Sequence, residues 1–285
     1  MIDQNERVAT LYLDLLKQSL TRNLFDETYQ SIEPRRGTLG SFLYAPIRKL
    51  LGTRGYEIVR RTPRAARVEG RDLPLEAETM VGLARLDNLS SCIKDVLERD
   101  VPGDLLEAGV WRGGASIFMR AVLKAYGAAD RTVWVADSFQ GLPPPDPKRF
   151  PADAEDRLSS RPQLAVSVEE VKGNFQRYGV LDDRVRFLPG FFQDSLPSAP
   201  IERLALLRID ADMYQSTMEV LQRLYDKVSV GGYVIVDDYG AMSSCRAAVD
   251  EFRSRNTVEE ELVTIDWTGV YWQKKITEHG RHTSV

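Results

Sequence analysis

Histidine is nearly missing from this chain. Its 285 residues hold two, His279 and His282, both in the polar tail KKITEHGRHTSV. A Ser-His-Asp or Cys-His arrangement would have to recruit that tail, so any general base in the body falls to a carboxylate, Lys or Tyr. Cysteine is scarce too. Cys92 and Cys245 cannot form a CxxC-type zinc site, and both sit in helix-like sequence that buries thiols. No apolar run approaches the ~20 residues of a membrane span, and the start MIDQNERVAT has no signal-peptide profile, so the cytoplasm is the expected compartment. Neither sign of charge dominates: 38 basic and 42 acidic residues leave a net charge of −4, which gives no general reason to expect nucleic acid.

What the chain does have is enough apolar sequence, 43%, for one large soluble core with a modest extension. Residues 6–20 carry helical periodicity. From Arg35 to Arg71 follow ten Lys/Arg and only two acids, Glu57 and Glu69. That stretch reads either as a solvated loop or mobile arm, or as a surface for an anionic substrate or a neighbouring subunit. A long helix is expected over 76–99. Then strands and helices alternate: strands at 104–110, 132–138, 185–190, 204–210 and 232–238, with helices at about 114–126, 167–179, 216–228 and 244–255. Ser167 and Glu170 stand at capping-box spacing, and Gly179 is a stop. Residues 261–275 read as an antiparallel hairpin turning at Trp267–Thr268–Gly269. The expected fold class is therefore α/β, a mostly parallel doubly wound sheet with helices on both faces and a C-terminal antiparallel hairpin.

In such sheets ligands bind outside the carboxyl ends of the strands. Acids gather there: Glu107, Asp137, Asp210, Asp237 and Asp238. One acid after a strand is an ordinary helix cap, but five at equivalent positions suggest a site. The first strand runs into EAGVWRGGASIF, a glycine turn opening a helix with an electropositive start. A dinucleotide fingerprint needs a glycine where Trp111 stands, which disfavours a pyrophosphate. Asp137, ending the second strand, is well placed to accept both hydroxyls of an adenosine ribose. A cofactor without a pyrophosphate fits better than NAD.

The segments TMVGLARLDNL, PGDLLEAGVWRGGASIFMRAVLKAYG, RTVWVADSFQGLP, RFLPGFFQDSLP, LRIDADMY and GGYVIVDDY resemble the macrocin O-methyltransferase group, over roughly residues 76–275. That resemblance implies a Rossmann-like methyltransferase fold, S-adenosylmethionine and Mg²⁺ (or Mn²⁺) as cofactors, and a sugar hydroxyl as acceptor. It divides the chain into an N-terminal helix and basic arm (1–75), the methyltransferase domain (76–275) and a flexible polar tail (276–285). Carried over residue by residue, it places Glu107, Ala108, Gly109, Val110 and Trp111 along the methionine half of the cofactor. It puts Asp137 and Ser138 at the ribose, Gly190, Phe191 and Phe192 at the adenine, and Thr79 and Met80 in a covering helix. Trp111, Phe192 and Met80 also read as ordinary core residues. The implied metal ligands are Asp210, Asp237 and Asp238, an all-oxygen set suited to a hard divalent cation, with Asp210 also the candidate base. Asp212 reads as a cap for the next helix. The Pro-rich loop 141–164 reads as a lid over the acceptor or a passive stiff loop. The partner expected is a glycosylated small molecule or oligosaccharide, with a homodimer or larger homo-oligomer as the assembly. Two other enzymes stay open: a catechol-type O-methyltransferase, and a nucleotide-sugar glycosyltransferase using the Asp210–Ala211–Asp212 motif. A non-catalytic cofactor-binding scaffold is a third reading, which the costly cluster of acids argues against.

Overall fold

The computed structural model describes residues 4–32 and 39–275; the tail with both histidines, and Arg35 and Arg36, lie outside the described residues. The elements run α1 (Gln4–Leu20), β1 (Tyr29–Ser31), α2 (Leu39–Gly52), β2 (Val59–Arg61), α3 (Arg64–Glu69), α4 (Leu83–Glu98), β3 (Asp104–Ala108), α5 (Gly114–Ala125) and β4 (Val133–Asp137). They continue with α6 (Val168–Arg177), β5 (Val185–Pro189), α7 (Phe192–Ser195), β6 (Leu204–Ile209), α8 (Tyr214–Leu224), β7 (Val228–Val236), α9 (Ser243–Arg255), β8 (Val263–Thr264) and β9 (Val270–Gln273).

The main sheet has the order β5-β4-β3-β6-β7-β9-β8. Its first five members pair in parallel, while β9 lies antiparallel to both β7 and β8. Chain direction across the sheet reverses between β3 and β6, and an open α/β sheet leaves its binding crevice at that point. Alternate strand residues feed two cores. Leu105, Val133, Val135, Leu206 and Ile235 pack under α1, α4, α5 and α6. Leu106, Trp134, Leu207 and Val234 pack under α8 and α9. Leu13, Leu16 and Leu20 of α1 belong to the first core, so this helix is part of the same body as the sheet.

Three expectations change. The helix expected over 76–99 begins only at Leu83, after Gly82, whose backbone lies so close to Glu69 that a Cβ would overlap it. Residues before it are held in irregular backbone instead: the Glu78 N–H donates to Leu20 O (3.1 Å), and the Gly114 N–H donates to Glu78 O (2.9 Å). Thr79 and Met80 thus lie on an irregular segment, not a helix. The basic stretch is neither a loop nor an arm over its described part. It forms α2, α3 and a two-stranded antiparallel sheet pairing Tyr29–Ser31 with Val59–Arg61. Arg67 is buried against Asp72 at 2.8 Å and donates to the carbonyls of Met80 and Val81. The hairpin holds, though its link is longer than a tight turn, closed by the Ile265 N–H on Gly269 O (2.8 Å). Ser167 caps α6, its hydroxyl accepting from the Glu170 N–H (3.2 Å).

Candidate active site

Strand ends build the site. At the end of β3 the chain must turn where β6 also ends, and only glycine fits. Gly109 has φ +84°, and a Cβ there would overlap the carbonyl oxygen of Asp210. The Asp210 N–H donates to Ala108 O (2.8 Å), so the two strand ends meet directly. Trp111 takes a left-handed backbone at φ +48°, and its indole N–H donates to Gln163 O (2.9 Å) on the Pro-rich loop. Asp137 staples the next turn: one oxygen accepts the Val110 N–H (2.7 Å), the other the Phe139 N–H (2.8 Å). The loop after β4 is anchored as well. Asp153, 1% exposed, accepts the N–H groups of Tyr214 (2.7 Å) and Gln215 (3.0 Å), the open start of α8. That corrects the reading of Asp212 as the cap: the helix begins at Tyr214 and its capping carboxylate comes from the loop.

These parts enclose a cavity of about 330 Å³. Of the residues expected at the cofactor, Met80, Gly109, Val110, Trp111, Asp137, Ser138, Phe191 and Phe192 line it, and so does Asp210. Thr79, Glu107, Ala108 and Gly190 do not. Thr79 is buried, its hydroxyl accepting from the Val81 N–H (3.0 Å). Glu107 lies beneath the cavity, held by Arg208 at 2.5 Å and by the Ser116 hydroxyl. Ala108 is fully buried, and Gly190 supports Asp137 through its N–H on the Asp137 carbonyl (3.0 Å). Asp212, Gln215 and residues Leu142, Pro143 and Leu164 of the Pro-rich loop complete the wall.

Asp210, Asp237 and Asp238 come together beside the cavity, each offering an oxygen within 4.8 Å of the others. Two buried guanidiniums serve this cluster. Arg208 donates to Glu107, to Asp210 (3.0 Å) and to one oxygen of Asp237; Arg85 donates to the other oxygen of Asp237. The Asp212 N–H donates to Asp238 Oδ2 (3.1 Å). Counting Glu107, Asp212 and Asp266, six carboxylates face Arg208, Arg85 and, beside Asp212, Arg161. The excess negative charge shows in their proton affinities. Burial pushes Glu107 up to about 7, against the pull of Arg208. Burial and then Asp237 push Asp210 up to about 6. Burial and then Asp210 push Asp212 up to about 8, opposed by Arg161. Asp238 rises well above its ordinary range through burial and then Asp212. Only Asp237 is held low: burial raises it, but Arg208 and Arg85 outweigh that. A carboxylate set short of positive charge fits a divalent cation. Arg208, an arginine inside the apolar run LALLRI, was the legible signal that a buried anion lay nearby; Arg85 and Asp153 had none in the pattern.

A parallel sheet of this order, with a pocket over β3, β4 and β6, defines the Rossmann-like methyltransferases. The family model described as Macrocin-O-methyltransferase (TylF) matches residues 9–274. The chain belongs to that family, and is an S-adenosylmethionine-dependent O-methyltransferase. It is 56% identical over 209 residues to demethyldecarbamoylnovobiocin O-methyltransferase of Streptomyces niveus, covering 73% of this chain and 80% of that one. It is 47% identical over 270 residues to the 8-demethyl-8-(2,3-dimethoxy-alpha-L-rhamnosyl)-tetracenomycin-C 4'-O-methyltransferase of Streptomyces olivaceus, covering 94% of each. The solved O-methyltransferase NovP superposes with a TM-score of 0.80 at 46% identity, covering 94% of this chain and all of that one.

Proposed function

We propose that this enzyme methylates a sugar hydroxyl on a glycosylated natural product, with a divalent cation, Mg²⁺ or Mn²⁺, at Asp210, Asp237 and Asp238. The observation that carries the reading is the cluster itself: three carboxylates within 4.8 Å, beside a cavity lined by the expected cofactor residues. The acceptor class rests on the relatives, one of whose names specifies a rhamnosyl-bearing tetracenomycin. Bound S-adenosylmethionine supplies the electrophilic methyl group, and a cation supplies positive charge that favours ionisation of the acceptor hydroxyl. The protein's own share is alignment. Val110 and Trp111 would bound the methionine half, Asp137 and Ser138 the ribose, Phe191 and Phe192 the adenine, with Val110, Trp111 and Asp137 fixed by the strand-end contacts above. Holding donor and acceptor in line is a large part of the rate. Residues 76–275 would form the catalytic unit, with 1–75 as an extension contributing to acceptor choice. We also take the assembly to be a homodimer or larger homo-oligomer, and its setting to be the cytoplasm, where cells make this cofactor.

Two carboxylates on the cavity wall are candidates for the proton. The sequence favours Asp210. A specific observation favours Asp212: Asp210 already accepts from Arg208 and sits in the cation cluster, whereas Asp212 lines the cavity outside that cluster. The test pairs Asp210→Asn with Asp212→Asn, reading turnover and Mn²⁺ binding. Both variants are expected to lose turnover by about 100-fold or more. Loss of Mn²⁺ binding in Asp210→Asn alone assigns the cation to Asp210 and the proton to Asp212. Full turnover in Asp212→Asn returns the proton to Asp210. Methyl transfer to catechols but to no glycoside would overturn the acceptor class.

A further inference from the structure

Asp237 is the most deeply set carboxylate of the cation cluster, 3% exposed, and neither of its oxygens is loose. Arg208 takes one oxygen from within the sheet; Arg85 takes the other from the first turn of α4. Arg85 has commitments on two further elements. Its Nε donates to Asp266 Oδ2 (3.0 Å) in the β8–β9 link, and its Nη2 donates to Gly70 O (3.3 Å) just after α3. The slot it fills is cut to size. A Cβ on Gly70 would overlap Arg85 Nη2, and one on Gly269 would press within 3.1 Å of Arg85 Cδ. The same link holds the main chain of Asp237, whose carbonyl accepts the Thr268 hydroxyl (2.8 Å). It also binds the end of α3, the Trp267 indole N–H donating to Glu69 O (2.9 Å) while Arg71 stacks 4.3 Å above the ring.

We propose that Arg85 is a positioning residue for the cation cluster: it fixes the Asp237 carboxylate and makes cation binding depend on how segment 67–72 docks. The proposal rests on the reading of the cluster as a cation site. A carboxylate torsion is broad and two-fold when one partner holds it; opposed guanidiniums on its two oxygens leave it one orientation. Cation ligands must be held to within about 0.5 Å. The counter-effect is repulsion between a guanidinium and a cation. Here the guanidinium charge is already met by Asp237 and Asp266, so the loss of orientation outweighs the relief of repulsion.

Free Mn²⁺ followed by electron paramagnetic resonance gives the cation affinity without turnover, and calorimetry with S-adenosylhomocysteine reports the cofactor pocket. In Arg85→Met the Mn²⁺ Kd is expected to rise about 10- to 100-fold, with partial recovery in Arg85→Lys. S-adenosylhomocysteine binding is expected to stay within about threefold, since its pocket lies over other strands. Asp266→Asn removes one anchor of Arg85 without touching Asp237 and is expected to weaken Mn²⁺ in the same direction. Hydrogen exchange adds the coupling: Mn²⁺ should slow exchange over 67–72 in the wild type and not in Arg85→Met. Unchanged or tighter Mn²⁺ binding in Arg85→Met overturns the proposal. If that variant does not fold, unchanged Mn²⁺ binding in Asp266→Asn overturns it. A wild-type protein that binds no Mn²⁺ overturns the cation reading instead.

Discussion

Glu107, Asp210 and Asp212 hold protons to about pH 7, 6 and 8 because burial and mutual repulsion oppose their ionisation. The ordinary values are 4.5 for the glutamate and 3.8 for the aspartates. In that window the native state keeps protons the unfolded chain has released, so stability falls as pH rises. Asp237 runs the other way: its contribution is present above its ordinary 3.8 and is lost as pH falls below it. A divalent cation replaces the retained protons with fixed charge and removes most of the loss. The expected outcome, by scanning calorimetry, is a melting temperature that declines from pH 5.5 to 8 in EDTA and declines much less with Mg²⁺. Equal slopes with and without Mg²⁺ would count against a cation in this cluster.

Elements carry these residues to one place, and the Pro-rich loop shows how. Asp153 caps α8 from 61 residues away in sequence, while the Trp111 indole grips Gln163 near the loop's other end. The loop is thus fastened both to the glycine turn and to the helix that follows Asp212. Asp153→Ala should cost about 0.5–2 kcal/mol of stability, as loss of a helix cap does. It should also raise the S-adenosylmethionine KM more than it lowers kcat, because the loosened loop forms part of the cavity wall. An unchanged KM beside a lower melting temperature would make Asp153 a cap and nothing more. Much of this was legible beforehand. Strand ends, the α/β alternation, the hairpin and the gathering of acids at the strand ends follow from local apolar runs and the acids that close them, while the choice of Asp210, Asp237 and Asp238 among those acids rests on the family resemblance. What could not be read were contacts set only by tertiary approach. Nothing near Asp153 marks its partner, and nothing in LARLDNL says Arg85 will reach Asp237. The start of α4 is not legible because Glu76, Ala77, Glu78 and Met80 have good helix propensity, which the hydrogen bonds of Glu78 with Leu20 and Gly114 and of Thr79 with Val81 override. In the stretch 35–71 charge alone does not mark solvent: its described part forms helices and a strand, and Arg67 is among the most buried side chains of the fold.

Among the described residues, helix α1 carries an apolar surface that the core does not explain. Helix α1 buries Ala9, Leu13, Leu16 and Leu20, yet its opposite side shows Val8, Leu11, Tyr12 and Leu15, exposed by 60, 63, 42 and 58%. These stand at i, i+3, i+4 and i+7, a continuous stripe. The stripe could pair with its own copy: about a two-fold axis between residues 11 and 12, Val8 would face Leu15 of the partner subunit and Leu11 would face Tyr12 of the partner subunit. On the flank of such an antiparallel pair, exposed Arg7 would lie within one helical turn of the level of exposed Asp14 of the partner subunit. An isologous contact of this kind is the usual basis of a dimer. Light scattering after gel filtration should therefore give twice the 32.2 kDa chain mass for the wild type. Leu11→Glu, which sets two carboxylates against each other at the axis, should give the monomer with little change in melting temperature, because Leu11 contributes nothing to the core. Arg7→Glu should weaken the dimer, and Arg7→Glu with Asp14→Arg should restore it. A Leu11→Glu protein that remains dimeric would move the interface off α1, and a monomeric wild type would remove it altogether.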